Sequence, residues 1–439
     1  MPVSIRQILR LVVPMIAEQF LVFGIALFDT AVAGSLGIVA ISAQSVVIRW
    51  VQFTTVIYNI MSVGASILVA QAVGQKRYDH ADDYLGGALT LSLIAGVALT
   101  LLVLLLSPVL VGVMGVDASV TELGVPYLSL IAWSFPFNFL LLSAAGCVRG
   151  AGDARTPLLV LAAANVIHIV LVITLVTDAG MGLQGIALAT VISRLLGCAA
   201  FGFLLVRGVS GLRLTSVPPS LSGMRNIWRV GSAVGGEQLA LRLGQLVNLR
   251  LVALLGTQLV AVYSVVTNTV SILLTIGIGF MTASLTIVGQ LIGAGESSRV
   301  YATGWRILYL GWGVIGSLCL AFFLYPQVNG LFASDPETLD LAALGLRVLL
   351  ISVPFELVNQ VMTGALRGSG DTGYPMFLTT LGHWVIRLPL IALLVGVAKI
   401  GLDGVWIAMI VETLIRAVLN VRRFNAGVML ETKPEMSAL

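Results

Sequence analysis

The residues of this chain that could do chemistry are ionisable and polar side chains inside long apolar stretches. An ionisable group within a membrane-spanning segment costs at least about 2.5–3.5 kcal/mol, so each one is a candidate for a function. The candidates for binding a proton or a sodium ion are Glu18, Asp29, Asn165, His168, Glu237 and Glu356. Glu18 and Asp29 share the first apolar stretch about three helical turns apart, which places them on one face of a helix.

The amino-acid composition indicates what kind of structure carries these polar residues. Of 439 residues, 58% are apolar and only 10% are charged, against about 25% charged in an ordinary soluble domain. This excludes a soluble enzyme, a nucleic-acid-binding protein and a disordered chain. The apolar runs are continuous for twenty residues or more, whereas the strands of an outer-membrane barrel alternate apolar and polar positions. We therefore predict an all-α polytopic membrane protein.

A helix crosses a bilayer core with about 20 residues, and the chain contains twelve such stretches. The predicted spans are 11–33, 44–73, 85–113, 124–147, 158–178, 183–206, 226–255, 261–292, 302–328, 341–366, 376–398 and 403–424. Lysines and arginines concentrate in one set of the connections and acids in the other set. The positive-inside rule then places both termini in the cytoplasm of a multi-pass protein of the cell (inner) membrane.

The two halves of the chain repeat each other at an offset of about 219 residues. Arg6 begins RQILRLVVPMIAEQF and Arg225 begins RNIWRVGSAVGGEQL, while CVRGAGDARTP from Cys147 matches ALRGSGDTGYP from Ala365. Six spans per half is an even number, so the repeat is parallel, about an axis along the membrane normal. We expect two six-helix lobes, one over 1–214 and one over 225–426, joined by a cytoplasmic linker at 215–224 and followed by a cytoplasmic tail at 427–439.

The paired RGxGDxxxP motifs resemble those of the multidrug and toxin extrusion (MATE) family, and in particular its prokaryotic, DinF-like branch. Pro14 followed by Asp29-Thr30, and VAQAVG at the end of span 2, add to the resemblance. It covers essentially the whole chain. It implies a V-shaped two-lobe exporter that moves organic, often cationic, amphipathic compounds in exchange for protons or sodium ions.

Asp29 matches the position at which the resemblance places the cation-binding carboxylate, and Asn165 resembles the asparagine that supports it. Ile169 occupies the place of a second carboxylate in some branches, which leaves His168 as a substitute titrating group or as a hydrogen-bonded structural residue. Glu18 is either a coupling acid or the partner of a loop arginine. In the second half Asn248 replaces the aspartate, while Glu237 and Glu356 only partly match a sodium-coupled motif.

The RGxGD loops predict tight turns rather than a substrate site, with each aspartate capping the helix that follows it. The residues of these structural motifs are Arg149, Gly150, Asp153, Arg367, Gly368 and Asp371. Adaptable apolar walls suit amphipathic ligands. The candidates for lining a substrate cleft are Phe28, Tyr58, Asn59, Phe280, Met281 and Met362.

The predicted function is secondary active efflux by alternating access, with protons favoured over sodium because the first half supplies too few oxygen ligands for sodium. The expected partners are small organic cations or amphipathic compounds, H⁺ (or Na⁺) and membrane lipids, and not nucleic acid; we expect a monomer. The alternative is a lipid-linked precursor flippase of the same superfamily. A channel, a scaffold and an enzyme are disfavoured, because filter, catalytic and nucleotide-binding motifs are missing. We expect neither a cofactor nor a metal site.

Overall fold

The computed structural model describes residues 3–214 and 219–427, and their regular structure is helical apart from one isolated bridge between Val209 and Leu212. An all-helical chain follows from the apolar composition. Because a lipid core offers no water to backbone N–H and C=O groups, a spanning segment must pair them within itself. The predicted all-α membrane fold is confirmed.

The first eight helices comprise those of the first half of the chain and the first helix of the second half. They are α1 (Ile5–Ser35), α2 (Ile38–Gly74), α3 (Tyr78–Gly112), α4 (Ala118–Ala132), α5 (Phe135–Gly150), α6 (Arg155–Ile173), α7 (Leu183–Arg207) and α8 (Leu221–Ala253). A π-helical turn, Thr174–Asp178, extends α6.

Seven further helices follow. They are α9 (Thr257–Gly293), α10 (Ser297–Leu324), α11 (Pro336–Leu349), α12 (Val353–Gly368), α13 (Gly373–Leu381), α14 (Leu388–Ile391) and α15 (Leu402–Asn425). A 3₁₀ turn, Pro326–Leu331, precedes α11, and the π-helical turns Gly382–Arg387 and Ala392–Val397 continue α13 and α14 into one long rod.

These helices account for twelve spans. Within the described residues, nine segments are long and apolar enough to cross a membrane, and the pairs α4–α5 and α11–α12 each make one more. The helix α8 is the twelfth; its arginines and Glu237 lower its hydropathy.

The predicted spans 124–147 and 341–366 are not continuous helices, because α4 meets α5 at 48° and α11 meets α12 at 52°. Pro136 and Pro354 lie in the first turn after each break. A proline has no N–H to donate to the preceding turn, which explains why the helix breaks there.

The helices form two compact units. The first-half unit comprises residues 17–235, and the second-half unit comprises the residues up to Ile16 together with those from Gly236 onwards. The helices α1 and α8 therefore each belong partly to both units. The predicted linker 215–224 and tail 427–439 lie partly outside the described residues.

Glycines allow the same close helix packing in each unit. A Cβ atom on Gly146 or Gly150 of α5 would lie 2.7 or 2.5 Å from a carbonyl oxygen of α2. On α12, a Cβ atom on Gly364 would lie 2.2 Å from the carbonyl oxygen of Met281, and one on Gly368 would lie 2.4 Å from that of Leu285. These glycines occupy equivalent positions in the repeat, so both units depend on the same close backbone approach.

We expect Gly364→Ala to destabilise the protein, because its methyl group has no space against α9. Overpacking of this kind costs about 1–3 kcal/mol, and it should lower the thermal unfolding midpoint in detergent. The matched control is Gly316→Ala on α10, where no atom lies within 4 Å of the added Cβ; there the change should be neutral or stabilising by up to about 1 kcal/mol. Equal midpoints for the two variants would contradict this account.

Candidate functional site

The centre of the candidate site is a contact between α1 and α6 within the first-half unit. Nε2 of His168 lies 2.8 Å from Oδ1 of Asp29, which makes a hydrogen bond or, with a protonated imidazole, an ion pair. The His168 side chain is 2% exposed and that of Asp29 is 18% exposed. Nδ1 of His168 is buried and has no hydrogen-bond partner among the described residues. The contact therefore joins a carboxylate to an imidazole, two kinds of group that bind protons in proteins.

Other polar groups surround this pair. Arg194 on α7 interacts electrostatically with Asp29 and with Tyr58. Tyr127 on α4 interacts electrostatically with Asp29, and its hydroxyl bonds to Gln44. Neither Tyr127 nor Gln44 was among the sequence candidates; the available signal was a polar group within a predicted span.

Asn165 lies one turn before His168 on α6 and is buried. Its side-chain oxygen has no hydrogen-bond partner among the described residues. A buried amide oxygen without a partner is costly, so it is available to a proton donor or a cation. The structure thus gathers three predicted residues, Asp29, Asn165 and His168, on two neighbouring helices.

Glu18 does not join this group. Eleven residues of helix separate it from Asp29, which is about 16 Å along the axis. Its Oε1 lies instead 2.6 Å from Nη1 of Arg149, the arginine of the first RGxGD motif, and both side chains are largely buried. Of the two alternatives for Glu18, the structure contains the pair with the loop arginine.

The second-half unit contains the equivalent pair. Nη2 of Arg367, in the second RGxGD motif, donates to Oε2 of Glu237 at 2.6 Å. Their side chains are 4% and 7% exposed, respectively. The repeat has therefore preserved a buried ion pair and not only a turn.

Two further acids of the second-half unit are also held by arginines. Oε2 of Glu412 accepts from Arg387 at 2.6 Å, and Glu412 also pairs with Arg416 one turn along α15. Arg416 reaches Glu356 at 2.9 Å, and Asn359 donates to the same Glu356 oxygen. Two carboxylates and two guanidinium groups thus form a neutral network on α12, α15 and the π-helical turn after α13.

The position equivalent to Asp29 is uncharged in this unit. Asn248 is buried and donates to the hydroxyl of Tyr263 at 3.1 Å. The units are therefore chemically unequal: a carboxylate beside a histidine in one, and an amide beside a phenol in the other.

The RGxGD turns have a common construction. Gly152 and Gly370, the second glycine of each motif, have φ angles of 95° and 98°, a conformation that favours glycine. Oδ1 of Asp153 accepts from the backbone N–H groups of Arg155 and Thr156, and so satisfies two donors in the first turn of α6. Asp371 accepts from the N–H of Tyr374 and pairs with Arg423.

The predicted cleft residues divide between the units. In the first-half unit, Phe28 packs against the apolar core, Tyr58 lies edge-on to Phe139, and Asn59 is half-buried. In the second-half unit, Phe280 and Met362 are buried. The sulfur of Met281 lies 3.8 Å from Nη1 of Arg367. A role for these six residues in a substrate cleft stays a prediction.

Comparisons with known proteins place the chain among transporters. The family model described as MatE matches residues 14–174 and 234–393. A probable multidrug resistance protein NorM from Thermotoga maritima is 28% identical over 433 residues, which cover 96% of this chain and 92% of that protein. The uncharacterized transporter YisQ from Bacillus subtilis is 21% identical over 92% of this chain and 90% of its own length.

Solved structures share the fold. A MOP superfamily transporter from Pyrococcus furiosus, whose pocket of reverse polarity suggests a different function, superposes with a TM-score of 0.91. An outward-facing multidrug resistance MATE family transporter of the MOP superfamily has the same score. Each is 21% identical and covers 97% of this chain and 96% of its own.

The hydrogen bonds that Asp153 accepts predict that its contribution to stability depends on pH. Burial raises the pKa of this carboxyl, but hydrogen bonds from Thr156, Ser210 and Arg155 outweigh burial and hold the pKa below its usual 3.8. A lowered folded-state pKa contributes stability above the unfolded value, and this contribution disappears as pH falls through the folded value. Asp153→Ala should therefore cost about 1 kcal/mol at neutral pH, and progressively less below about pH 4.

The measurement is the thermal unfolding midpoint of wild type and variant across pH in detergent. Asp117→Ala is the control, because Asp117 precedes α4 without a side-chain capping bond, and its effect should be small at every pH. A loss at Asp153 that stays constant from neutral to acid pH would contradict the assignment.

Proposed function

The chain belongs to the MatE family, and from that premise we propose that it exports amphipathic, often cationic organic compounds across the cell (inner) membrane in antiport with protons. The observation that carries the proposal is the contact between Asp29 and His168 inside the first-half unit. Relatives named as probable multidrug resistance proteins support the substrate class. The transport cycle is alternating access, with both termini cytoplasmic and a single chain as the working unit.

A proton controls the charge of the coupling pair. With the proton bound, Asp29 and His168 together are neutral; without it, they carry one negative charge that attracts a cationic compound. Arg194 and Tyr127 face the same carboxylate and influence this balance. Outside acid favours the protonated pair and release of the compound, while the more alkaline cytoplasm favours the deprotonated pair and binding.

Protons are preferred to sodium because of what surrounds each acid. Sodium takes several oxygen ligands at once, but the atom in contact with Asp29 is a histidine nitrogen. Among the described residues, the Asn165 oxygen is the one buried side-chain oxygen of α6 without a hydrogen-bond partner. In the second-half unit, Glu237 and Glu356 are each paired with an arginine. A sodium ion binding there has to displace a guanidinium group from the buried Glu237 or the half-buried Glu356, which is costly.

A flippase for lipid-linked precursors is the weaker candidate. Such a protein needs a cationic cavity for a pyrophosphate-bearing ligand. Arg149, Arg367, Arg387 and Arg416 are all paired with glutamates, so their charge is already neutralised within their own units. The absence of nucleotide-binding motifs from the sequence leaves an ion gradient as the energy source for either activity.

Asp29→Asn should abolish export, because an amide cannot take up or release the coupling proton. The measurement is accumulation of a fluorescent organic cation in energised everted vesicles, normalised to the amount of folded protein. Asp178→Asn is the matched control, since Asp178 is an exposed acid in the same half of the chain, and it should export like wild type. Wild-type export by folded Asp29→Asn protein would refute the assignment.

Transport by the purified protein in proteoliposomes identifies the coupling ion, first with a pH gradient in the absence of sodium and then with a sodium gradient at equal pH. An acidic lumen and an alkaline medium should drive uptake of the organic cation as protons leave, and collapse of the pH gradient should stop it. A sodium gradient of the same size at equal pH should drive none. Uptake with the sodium gradient alone would overturn proton coupling and direct attention to Glu237 and Glu356.

A further inference from the structure

Two buried ion pairs have no part in the proposed proton chemistry. Glu18–Arg149 and Glu237–Arg367 occupy equivalent positions of the repeat, and both glutamates are 5% exposed. A buried ion pair often adds little net stability compared with apolar residues of the same volume. Its presence in both units therefore calls for a reason other than stability.

Each glutamate lies where its helix enters a new unit. The helix α1 passes into the first-half unit at Ala17, one residue before Glu18. The helix α8 passes into the second-half unit at Gly236, one residue before Glu237. The ion pair is thus the first polar attachment of each helix within the unit it has entered.

Each arginine projects from a rigid support. Arg149 and Arg367 lie in the last turns of α5 and α12, next to Gly150 and Gly368, which contact backbone carbonyls of α2 and α9. Such close backbone contact leaves little freedom for sliding or rotation. The guanidinium group therefore presents a fixed point to which the glutamate, and with it the helix, is attached.

Beyond its glutamate, each of these helices continues to the residue that differs between the two units, Asp29 on α1 and Asn248 on α8. Eleven residues beyond Glu18, α1 presents Asp29 to His168, and eleven residues beyond Glu237, α8 presents Asn248 to Tyr263. Because a helix moves as a stiff body, a rotation or translation of α1 at Glu18 also displaces Asp29. A movement of α8 at Glu237 displaces Asn248 in the same way. Only the first of the two positions can titrate.

We propose that Glu18 and Arg149 are positioning residues for transport, which set the rotation and height of α1 so that Asp29 meets His168. The pair Glu237–Arg367 is its repeat copy and does the same for α8, where the dependent residue is the uncharged Asn248. This inference rests on the proposed role of Asp29 and adds the ion pair that holds Asp29 in position. The two pairs are alike in geometry and different in consequence.

The difference between Asp29, which can titrate, and Asn248, which cannot, provides a test of this proposal. Glu18→Gln should shift the pH midpoint of export by about half a unit or more and lower the rate per folded molecule about tenfold, in line with couplings of this kind. The charged and titratable groups that interact with Asp29 are His168, Arg194 and Tyr127, and Tyr58 interacts with Arg194; the substitution alters none of them directly. Glu237→Gln, the matched control, should leave the pH midpoint in place.

Both variants are measured in everted vesicles with the fluorescent cation, over a range of pH, alongside the thermal unfolding midpoint. The double variant Glu18→Arg with Arg149→Glu should recover the wild-type pH midpoint, because the attachment is restored with reversed polarity. If Glu18→Gln does not fold, Arg149→Lys replaces it, since lysine keeps the charge but cannot reproduce the guanidinium geometry.

The results separate this inference from the proposed function. Equal pH midpoints for Glu18→Gln, Glu237→Gln and wild type, together with loss of export in Asp29→Asn, would overturn the positioning role and leave proton coupling intact. Full export by Asp29→Asn would overturn the coupling role itself. A midpoint that moves with Glu18→Gln and returns with the charge swap supports the positioning role.

Discussion

The constraint on which this structure depends is that a charge inside a membrane protein must be neutralised by a neighbour within the protein. Leaving a buried charge unpaired costs several kcal/mol. In the described part of the chain, the span acids Glu18, Asp29, Glu237, Glu356 and Glu412 each contact an arginine or a histidine. Four of these five accept a hydrogen bond from an arginine. Asp29 is the exception, since its hydrogen-bond partner is a histidine, and this difference is the basis of the proton-dependent role proposed for it.

The internal repeat supplies a common frame in which the two halves have diverged. The glycine contacts of α5 with α2 recur in those of α12 with α9, and the glutamate–arginine pair recurs with them. These features concern backbone approach and helix attachment, which both units need for folding. The residue eleven positions beyond each glutamate differs, with Asp29 in one half and Asn248 in the other.

The two halves also differ in their last helix, α7 in the first half and α15 in the second. Ser193 and Gly197 of α7 are small buried residues, and the equivalent positions of α15 carry Glu412 and Arg416. The second-half unit fills this space with a neutral network of charges that includes Glu356 and Arg387. Each carboxylate of this network is paired with at least one guanidinium group, which favours a structural role. The first-half unit has a smaller cluster, in which Oδ1 of Asn165 and Nδ1 of His168 have no hydrogen-bond partner in the described part of the chain.

The all-α membrane fold, the number of spans, the repeat and the family could all be predicted from the sequence, because they depend on runs of apolar residues and on short local motifs. The sequence also identified Asp29, Asn165 and His168 as candidates, since a polar group in an apolar span is visible without a structure. The tertiary structure decided the partners. Whether Glu18 belongs with Asp29 or with Arg149, and which arginine holds Glu356, depends on how helices more than fifty residues apart in the chain pack against one another. The 48° and 52° bends were likewise hidden, because hydropathy is continuous across a break that only the packing of the flanking helices and the proline geometry reveal.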